Sequence, residues 1–156
     1  MPTYKTADLC DERTVAVADP IFRDLGGLRM FAGPVATVQV AEDNGLVKAT
    51  LSQPGQGRVL VVDGGGSMRC ALVGDVLAGI GLANGWTGVV VFGCVRDTAQ
   101  LSQLAFGVRA LGTCPRRGAA TGAGSSDVAV TFAGITFRRG DHLYADHDGI
   151  VVSRGP

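Results

Sequence analysis

The segment Arg58-Val59-Leu60-Val61-Val62-Asp63-Gly64-Gly65-Gly66-Ser67 sets four consecutive aliphatic side chains ahead of three glycines. An apolar run without polar alternation suits a strand covered on both faces, as in a parallel sheet. The glycines predict a tight turn at its carboxyl end. Further along, Val89-Val90-Val91-Phe92 repeats the pattern and runs into Gly93-Cys94-Val95-Arg96-Asp97. Between the two, Asp75 to Ala83 has helical spacing, with Val76, Leu77, Ile80 and Ala83 expected on one apolar face. Strand, helix, strand predicts a parallel pair joined by a crossover.

Towards the amino terminus, Thr6 or Asp8 is expected to cap a short helix ending before Pro20, and Pro34 to Val40 alternates enough for a strand. Asp43 or Asn44 is expected to cap a helix through Leu51, stopped by Ser52-Gln53-Pro54-Gly55. A helix is expected from about Asp97 to Leu104, turning Leu101, Leu104 and Ala105 inward. The last third changes to short β segments at Gly107–Leu111, Val128–Phe132, Ile135–Arg138, His142–Ala145 and Ile150–Ser153. Phe132-Ala133-Gly134-Ile135 and Asp146-His147-Asp148-Gly149 read as turns between them. The expected fold is one α/β domain over residues 1–156, with a central parallel sheet and a second, antiparallel sheet.

Composition narrows the function classes. The chain has 156 residues, 46% hydrophobic and 18% charged, which fits a globular domain and excludes disorder. Fourteen Lys+Arg cancel fourteen Asp+Glu, so nothing draws the chain generally to phosphate backbones, and direct nucleic-acid binding is not expected. Cys10, Cys70, Cys94 and Cys114 form no C-x-x-C pair and read as reduced thiols of a cytoplasmic protein. Met1 to Asp8 lacks the apolar core of a signal peptide. Val76 to Val95 is long and nearly uncharged, but Asn84-Gly85-Trp86-Thr87-Gly88 interrupts it with a turn signal. A helix, a turn and a buried strand are expected there, and no membrane span.

Ligands of open α/β sheets bind beyond the carboxyl ends of the strands. Two such ends are visible, at Asp63-Gly64-Gly65-Gly66-Ser67 and at Gly93–Asp97. The glycines invite a dinucleotide or S-adenosylmethionine reading, but Arg69 stands at the third glycine position of that fingerprint, and Phe92-Gly93 replaces the acidic residue expected later. A packing turn is the alternative. Gly74-Asp75-Val76-Leu77 opens a helix whose first amides and dipole suit a carboxylate; alternatively Asp75 only caps the helix. Arg96-Asp97 places a guanidinium fork suited to carboxylates beside a hard oxygen ligand suited to Mg²⁺ or Mn²⁺. The alternative is a surface ion pair or cap. His142 and His147 form a weaker candidate metal cluster, with structural or surface roles as the alternative. Ser125-Ser126-Asp127 lacks a serine-hydrolase elbow. Arg116-Arg117 and Arg138-Arg139 read as solvated pairs. Lys5 and Lys48 are expected away from the strand ends, which argues against a Schiff-base mechanism.

Asp43-Asn44-Gly45-Leu46, the segment Arg58–Ser67 and Gly140-Asp141-His142-Leu143-Tyr144-Ala145-Asp146 resemble the RraA-like family, over about Thr6 to Ser153. That family includes the regulator of ribonuclease E activity and the class II 4-hydroxy-4-methyl-2-oxoglutarate aldolases. The resemblance implies a swivelling β/β/α three-layer fold and ring-shaped homotrimers with sites at subunit interfaces. The aldolase branch carries an Asp, then twenty residues, then Arg-Asp, matched here by Asp75, Arg96 and Asp97. Regulator-type members typically lack the second Asp. The implied activity is cleavage of 4-hydroxy-4-methyl-2-oxoglutarate to pyruvate, with oxaloacetate decarboxylation alongside. Asp97 would hold Mg²⁺ or Mn²⁺, Arg96 and Asp75 would serve the chemistry, and Gly74, Asp75, Val76, Leu77 and Arg96 would bind the small 2-oxo acid. The alternative it implies is a non-catalytic inhibitor of a ribonuclease E-type partner. Gln100 departs from the pattern, standing where aldolase members often carry Glu or Asp, and the C-terminal extension of many aldolase members has no counterpart here.

Overall fold

The computed structural model describes residues 3–155. In chain order its elements are α1 (Thr6–Glu12), β1 (Ala16–Val17), β2 (Arg23–Asp24), β3 (Phe31–Gln39), α2 (Gly45–Leu51), β4 (Val59–Asp63), β5 (Ala71–Val73), α3 (Asp75–Ala83) and β6 (Gly88–Val95). There follow α4 (Thr98–Leu101), β7 (Gly107–Thr113), β8 (Ser125–Ser126), β9 (Val130–Phe132), β10 (Ile135–Phe137), β11 (His142–Asp146) and β12 (Gly149–Ser153). The fold is mixed α/β. One large mixed sheet runs β1-β12-β11-β3-β4-β6-β7-β2, with β5 beside β6 and β8 beside β3. The hairpin β9–β10 makes a small antiparallel sheet of its own.

The parallel and antiparallel parts are not separate sheets, as the sequence suggested, because β3 belongs to both. Its first residues, Phe31 to Pro34, pair antiparallel with Ala145 to His142 of β11. From Val35 onward the same strand pairs parallel with β4. Pro34, which has no N–H to give a ladder, stands at the changeover. The strand β4 lies between β3 and β6, parallel to both, and all five of its residues are buried. That is the environment its aliphatic run called for.

Alternation along the central strands divides the interior. Leu60, Val62, Val89 and Val91 join Val47, Leu51 and Ala78 of the helices in one core. Val59, Val61 and Val90 join Phe132, Phe137 and Leu143 in the other. Each such valine, leucine or phenylalanine, fully buried, contributes roughly 1.5–3 kcal/mol.

Several local expectations are corrected. The Gly107–Leu111 segment, expected among the antiparallel pieces, is β7 and runs parallel to β6. The short β5, absent from the sequence reading, adds a strand just before Gly74. On α3 Leu77 and Ile80 pack against the core as expected, with Ala78 and Gly81 buried beside them, while Val76 is 65% exposed and Ala83 is exposed too. Gly81 belongs inside because a Cβ there would sit 3.0 Å from Leu51 and 3.2 Å from Phe106. The helix expected from Asp97 to Leu104 shrinks to the four residues of α4, and Ala105 is exposed. Thr6 lies inside α1 and does not cap it; its amide and hydroxyl both donate to the Asp146 carboxylate, at 2.8 and 2.7 Å. Among the described residues no helix is long and apolar enough to cross a membrane.

Candidate functional site

The β5–α3 loop and the end of β6 come together because β5 pairs with β6 in parallel. The Arg96 amide donates to Val73 O at 3.0 Å, fastening the two chain segments just before the charged pair. A register shift between Val91 and Cys94 alters the course of β6 before it ends, as bulges beside functional sites often do. Asp97 then adopts φ 61° and ψ 43°, a left-handed conformation uncommon for a residue other than glycine. Backbone strain of this kind gathers at sites where a side chain must be aimed.

The Asp97 carboxylate is aimed across the loop: its Oδ2 accepts the Asp75 N–H at 3.1 Å. Gly74 makes this approach possible. A Cβ on Gly74 would lie 2.5 Å from that same oxygen and 3.3 Å from Arg96 Cγ. Its φ of −133° is ordinary extended backbone, so the glycine serves proximity and not an unusual dihedral. Two readings of this segment change. Gly74, not Asp75, occupies the N-cap position of α3, with Asp75 in the first turn, where its charge favours the dipole. The amides of Asp75 and Ala78 are also taken, the latter by Gly74 O at 3.0 Å. Val76 and Leu77 supply the amides that remain for a ligand.

A pocket of about 210 Å³ opens here, and all six residues singled out in the sequence line it: Gly74, Asp75, Val76, Leu77, Arg96 and Asp97. Asn44, Lys48, Arg117 and Ala120 line it too. Lys48 and Arg117 correct the sequence reading, since Lys48 was expected away from the strand ends and Arg117 as one of a solvated pair. Arg117 arrives because the segment after β7 lies along β5, with an Ala71–Arg117 bridge. Lys48 arrives on α2, whose start is held against that same segment by Asp43.

Asp43 is not a helix cap in the simple sense. Its carboxylate accepts from the amides of Gly45 at 2.9 Å, Thr121 at 3.0 Å and Gly122 at 3.1 Å, and from the Thr121 hydroxyl. The hydroxyl and amide donors hold its carboxyl at about 2, below the ordinary 3.8. Asp43 thereby latches two of the pocket's walls together.

The divalent cation implied by the resemblance meets a sparse donor set. Among the described residues no three His, Cys, Asp or Glu side chains converge as metal ligands. Asp97 Oδ1 makes no hydrogen bond to a described residue, and Asp75 stands beside it on the same pocket. A hard cation that keeps most of its waters needs only one or two carboxylates, and this set fits such an ion. The histidines do not add to it. His142 is half-buried, its ring 4.8 Å from that of Tyr144, and burial pushes its pKa down; neither it nor His147 lines this pocket.

The glycine turn is closed on itself. The amides of Gly64 and Gly66 donate to Phe92 O, that of Gly65 to Asp63 Oδ1, and that of Ser67 to Gly64 O. No amide of the turn is left over for a phosphate or a cofactor.

Residues 6–152 match the RraA-like family, described as Aldolase/RraA. The chain belongs to the RraA-like family. A relative from Alkalilimnicola ehrlichii, named "Putative 4-hydroxy-4-methyl-2-oxoglutarate aldolase", is 59% identical over 151 residues, covering 96% of this chain and 94% of its own. Two solved structures superpose closely. One, from Geobacillus kaustophilus, is described as an S-adenosylmethionine:2-dimethylmenaquinone methyltransferase; it has 46% identity, a TM-score of 0.96, and coverage of 98% of this chain and 96% of its own. The other is a Thermus RNA-processing inhibitor, RraA, with 40% identity, a TM-score of 0.95, and coverage of 100% and 95%.

Proposed function

We propose that this RraA-like protein is a divalent-metal-dependent lyase that cleaves 4-hydroxy-4-methyl-2-oxoglutarate to pyruvate and also decarboxylates oxaloacetate. The observation that carries the reading is the meeting of Asp75, Arg96, Asp97 and the amide end of α3 on one pocket. Retro-aldol cleavage builds negative charge on the keto oxygen as the C–C bond breaks. Arg96 sets a fixed positive charge beside that oxygen. The free amides of Val76 and Leu77, backed by the helix dipole, hold the adjoining carboxylate. Asp75 orients a water that takes the hydroxyl proton and later returns a proton to carbon. Asp97 would hold the Mg²⁺ or Mn²⁺, which when bound supplies Lewis-acid stabilisation of the same developing charge. Oxaloacetate decarboxylation needs the same stabilisation, because it too passes through the enolate of pyruvate. Lys48 reaches the pocket, but no step above calls on a Schiff-base lysine. The closed glycine turn gives no support to a methyltransferase reading.

We also infer a homotrimer with its sites at subunit interfaces. Val76, apolar and 65% exposed beside the pocket, is surface that a neighbouring copy would cover. The mass in solution tests this: three chains are expected, and a monomer would refute it.

Gln100 supports a second reading. It stands exposed on α4, one turn beyond Asp97, with no carboxylate to order metal-bound waters. On that reading the chain is a protein-binding inhibitor of a ribonuclease E-type enzyme; its Thermus neighbour is named an RNA-processing inhibitor. The deciding experiment follows pyruvate release from both substrates with Mg²⁺ or Mn²⁺ and then with chelator, for wild type and Asp97→Ala. Metal-dependent release that disappears in the variant is expected. Release equal in the two proteins would remove the role given to Asp97. No release above the metal-only background would leave the inhibitor reading ahead.

A further inference from the structure

A second recess, of about 290 Å³, lies between the β11–β12 turn, the Val17–Phe22 segment and the β2–β7 pair, and shares no residue with the pocket above. Arg109 lines it. This guanidinium is only 5% exposed, an expensive place for a permanent charge. Its Nη2 donates to Arg29 O at 2.9 Å and to Asp146 O at 2.8 Å. Its Nε faces Asp24 Oδ1 at 3.5 Å, yet neither atom makes a hydrogen bond, and they are the two buried side-chain atoms left so among the described residues. Nη1 and Asp24 Oδ2 also lack hydrogen bonds to described residues. The cross-strand pairing of Asp24 with Arg109 fixes the two backbones and holds the side chains as an ion pair whose facing atoms are buried against each other, so Nη1 and Oδ2 are the atoms left for a ligand.

The other groups around the recess narrow what Arg109 Nη1 and Asp24 Oδ2 would bind. Asp146 is spent, its oxygens taken by Thr6 and by the Asp148 amide. Arg29 adds a second guanidinium with no side-chain partner among the described residues, and Asp19 a further free carboxylate. Val17, Phe22 and Ile150 supply an apolar wall. A simple anion would meet Asp24 beside Arg109. A simple cation would meet both arginines. A neutral polyol would answer both signs, but hydrogen bonds between charged partners are roughly twice as strong as neutral ones. A ligand carrying both charges satisfies both walls. The volume sits at the lower end of small-molecule pockets, on the scale of a metabolite and not of a nucleotide.

We propose that this recess binds a free α-amino acid with an apolar side chain: its carboxylate on Arg109 and Arg29, its ammonium on Asp24, its side chain against Val17, Phe22 and Ile150. This inference does not depend on the lyase reading, since no residue is shared.

Calorimetric titration of the intact protein tests it with leucine and phenylalanine, each beside its matched amine lacking the carboxylate and its matched acid lacking the ammonium. Saturable binding of an amino acid is expected, with the amine and the acid each about tenfold weaker or worse, the loss from one charge-assisted bond. Asp97→Ala is expected to leave binding unchanged, which separates this recess from the candidate active site. Arg29→Gln alters an exposed side chain, so the fold is kept while affinity falls about tenfold. Asp24→Asn is expected to bring the amino acid down to the affinity of its matched acid. No saturable binding, an acid that binds as tightly as the amino acid, or full affinity in Arg29→Gln would each overturn the proposal.

Discussion

Gly74→Ala is the sharpest perturbation of the candidate active site, because it adds one methyl group at a known place. The new Cβ would stand 2.5 Å from Asp97 Oδ2, whereas ordinary van der Waals contact begins at 3.4 Å. The carboxylate must therefore retreat by about 0.9 Å, the difference of those two distances. Its hydrogen bond to the Asp75 amide already measures 3.1 Å, so retreat carries it out of range. A bond to a charged group is worth roughly 1.5–3 kcal/mol, and a reacting group misplaced by about 1 Å costs about a hundredfold in rate. The backbone at Gly74 is already extended, so alanine adds no dihedral strain. The expected result is a folded protein whose kcat/KM for pyruvate release falls about a hundredfold. The assay couples pyruvate to NADH oxidation by lactate dehydrogenase, with circular dichroism melting on the same samples. Gly79→Ala is the matched control. A Cβ there meets nothing within 4 Å, so activity should be kept and the melting temperature should rise, since alanine is favoured over glycine by about 1 kcal/mol inside a helix. If Gly74→Ala kept kcat/KM within about twofold of wild type with an unchanged melt, the aim of Asp97 would not matter to catalysis and the reasoning would fail.

Asp43→Asn should destabilise the protein in a pH-dependent way. A carboxyl held at about 2 in the folded state, against an ordinary 3.8, stabilises the fold fully above the ordinary value and loses that contribution as pH falls through about 2. The gap in melting temperature between wild type and variant should be widest near neutrality and close towards pH 2; a gap independent of pH would count against the latch. Gly81→Ala should cost about 1–3 kcal/mol by overpacking Leu51 and Phe106, read as a lowered midpoint in urea. A rise in that midpoint would mean the core can yield there.

The parts legible in the sequence were those that local chemistry specifies. The buried runs ending at Val62 and Phe92 could be nothing but central strands, and their carboxyl ends marked where a ligand would sit. Asp75, Arg96 and Asp97 followed from those strand ends and from the spacing that the resemblance supplied. What stayed hidden depends on partners distant in the chain. Ala71–Val73 carries too short a strand signal of its own until β6 is there to pair with it. Gly107–Thr113 looks like any short strand, and nothing within it says parallel. Lys48 and Arg117 look solvated one at a time; a single carboxylate, Asp43, draws their segments to the pocket. Val76 fits an inward helical face by periodicity, yet Gly81 takes the inward place because Leu51 and Phe106 fill the space. The Asp24–Arg109 ion pair gave no signal, since β2 is two residues long and has meaning only beside β7.

The double membership of β3 bears on how the chain is made. Its later residues find β4 soon after synthesis, but its first residues must wait for β11, which emerges more than a hundred residues later. Until then the edge from Phe31 to Pro34 stays open in the nascent chain, with unpaired backbone groups beside an aromatic side chain. Pairings so distant in sequence form slowly, and open edges are where nascent chains aggregate. Pro34, unable to donate a hydrogen bond, interrupts that edge and makes it a poorer template for a stray strand. Production of this protein should therefore respond to translation speed and to chaperone supply more than its modest size would suggest.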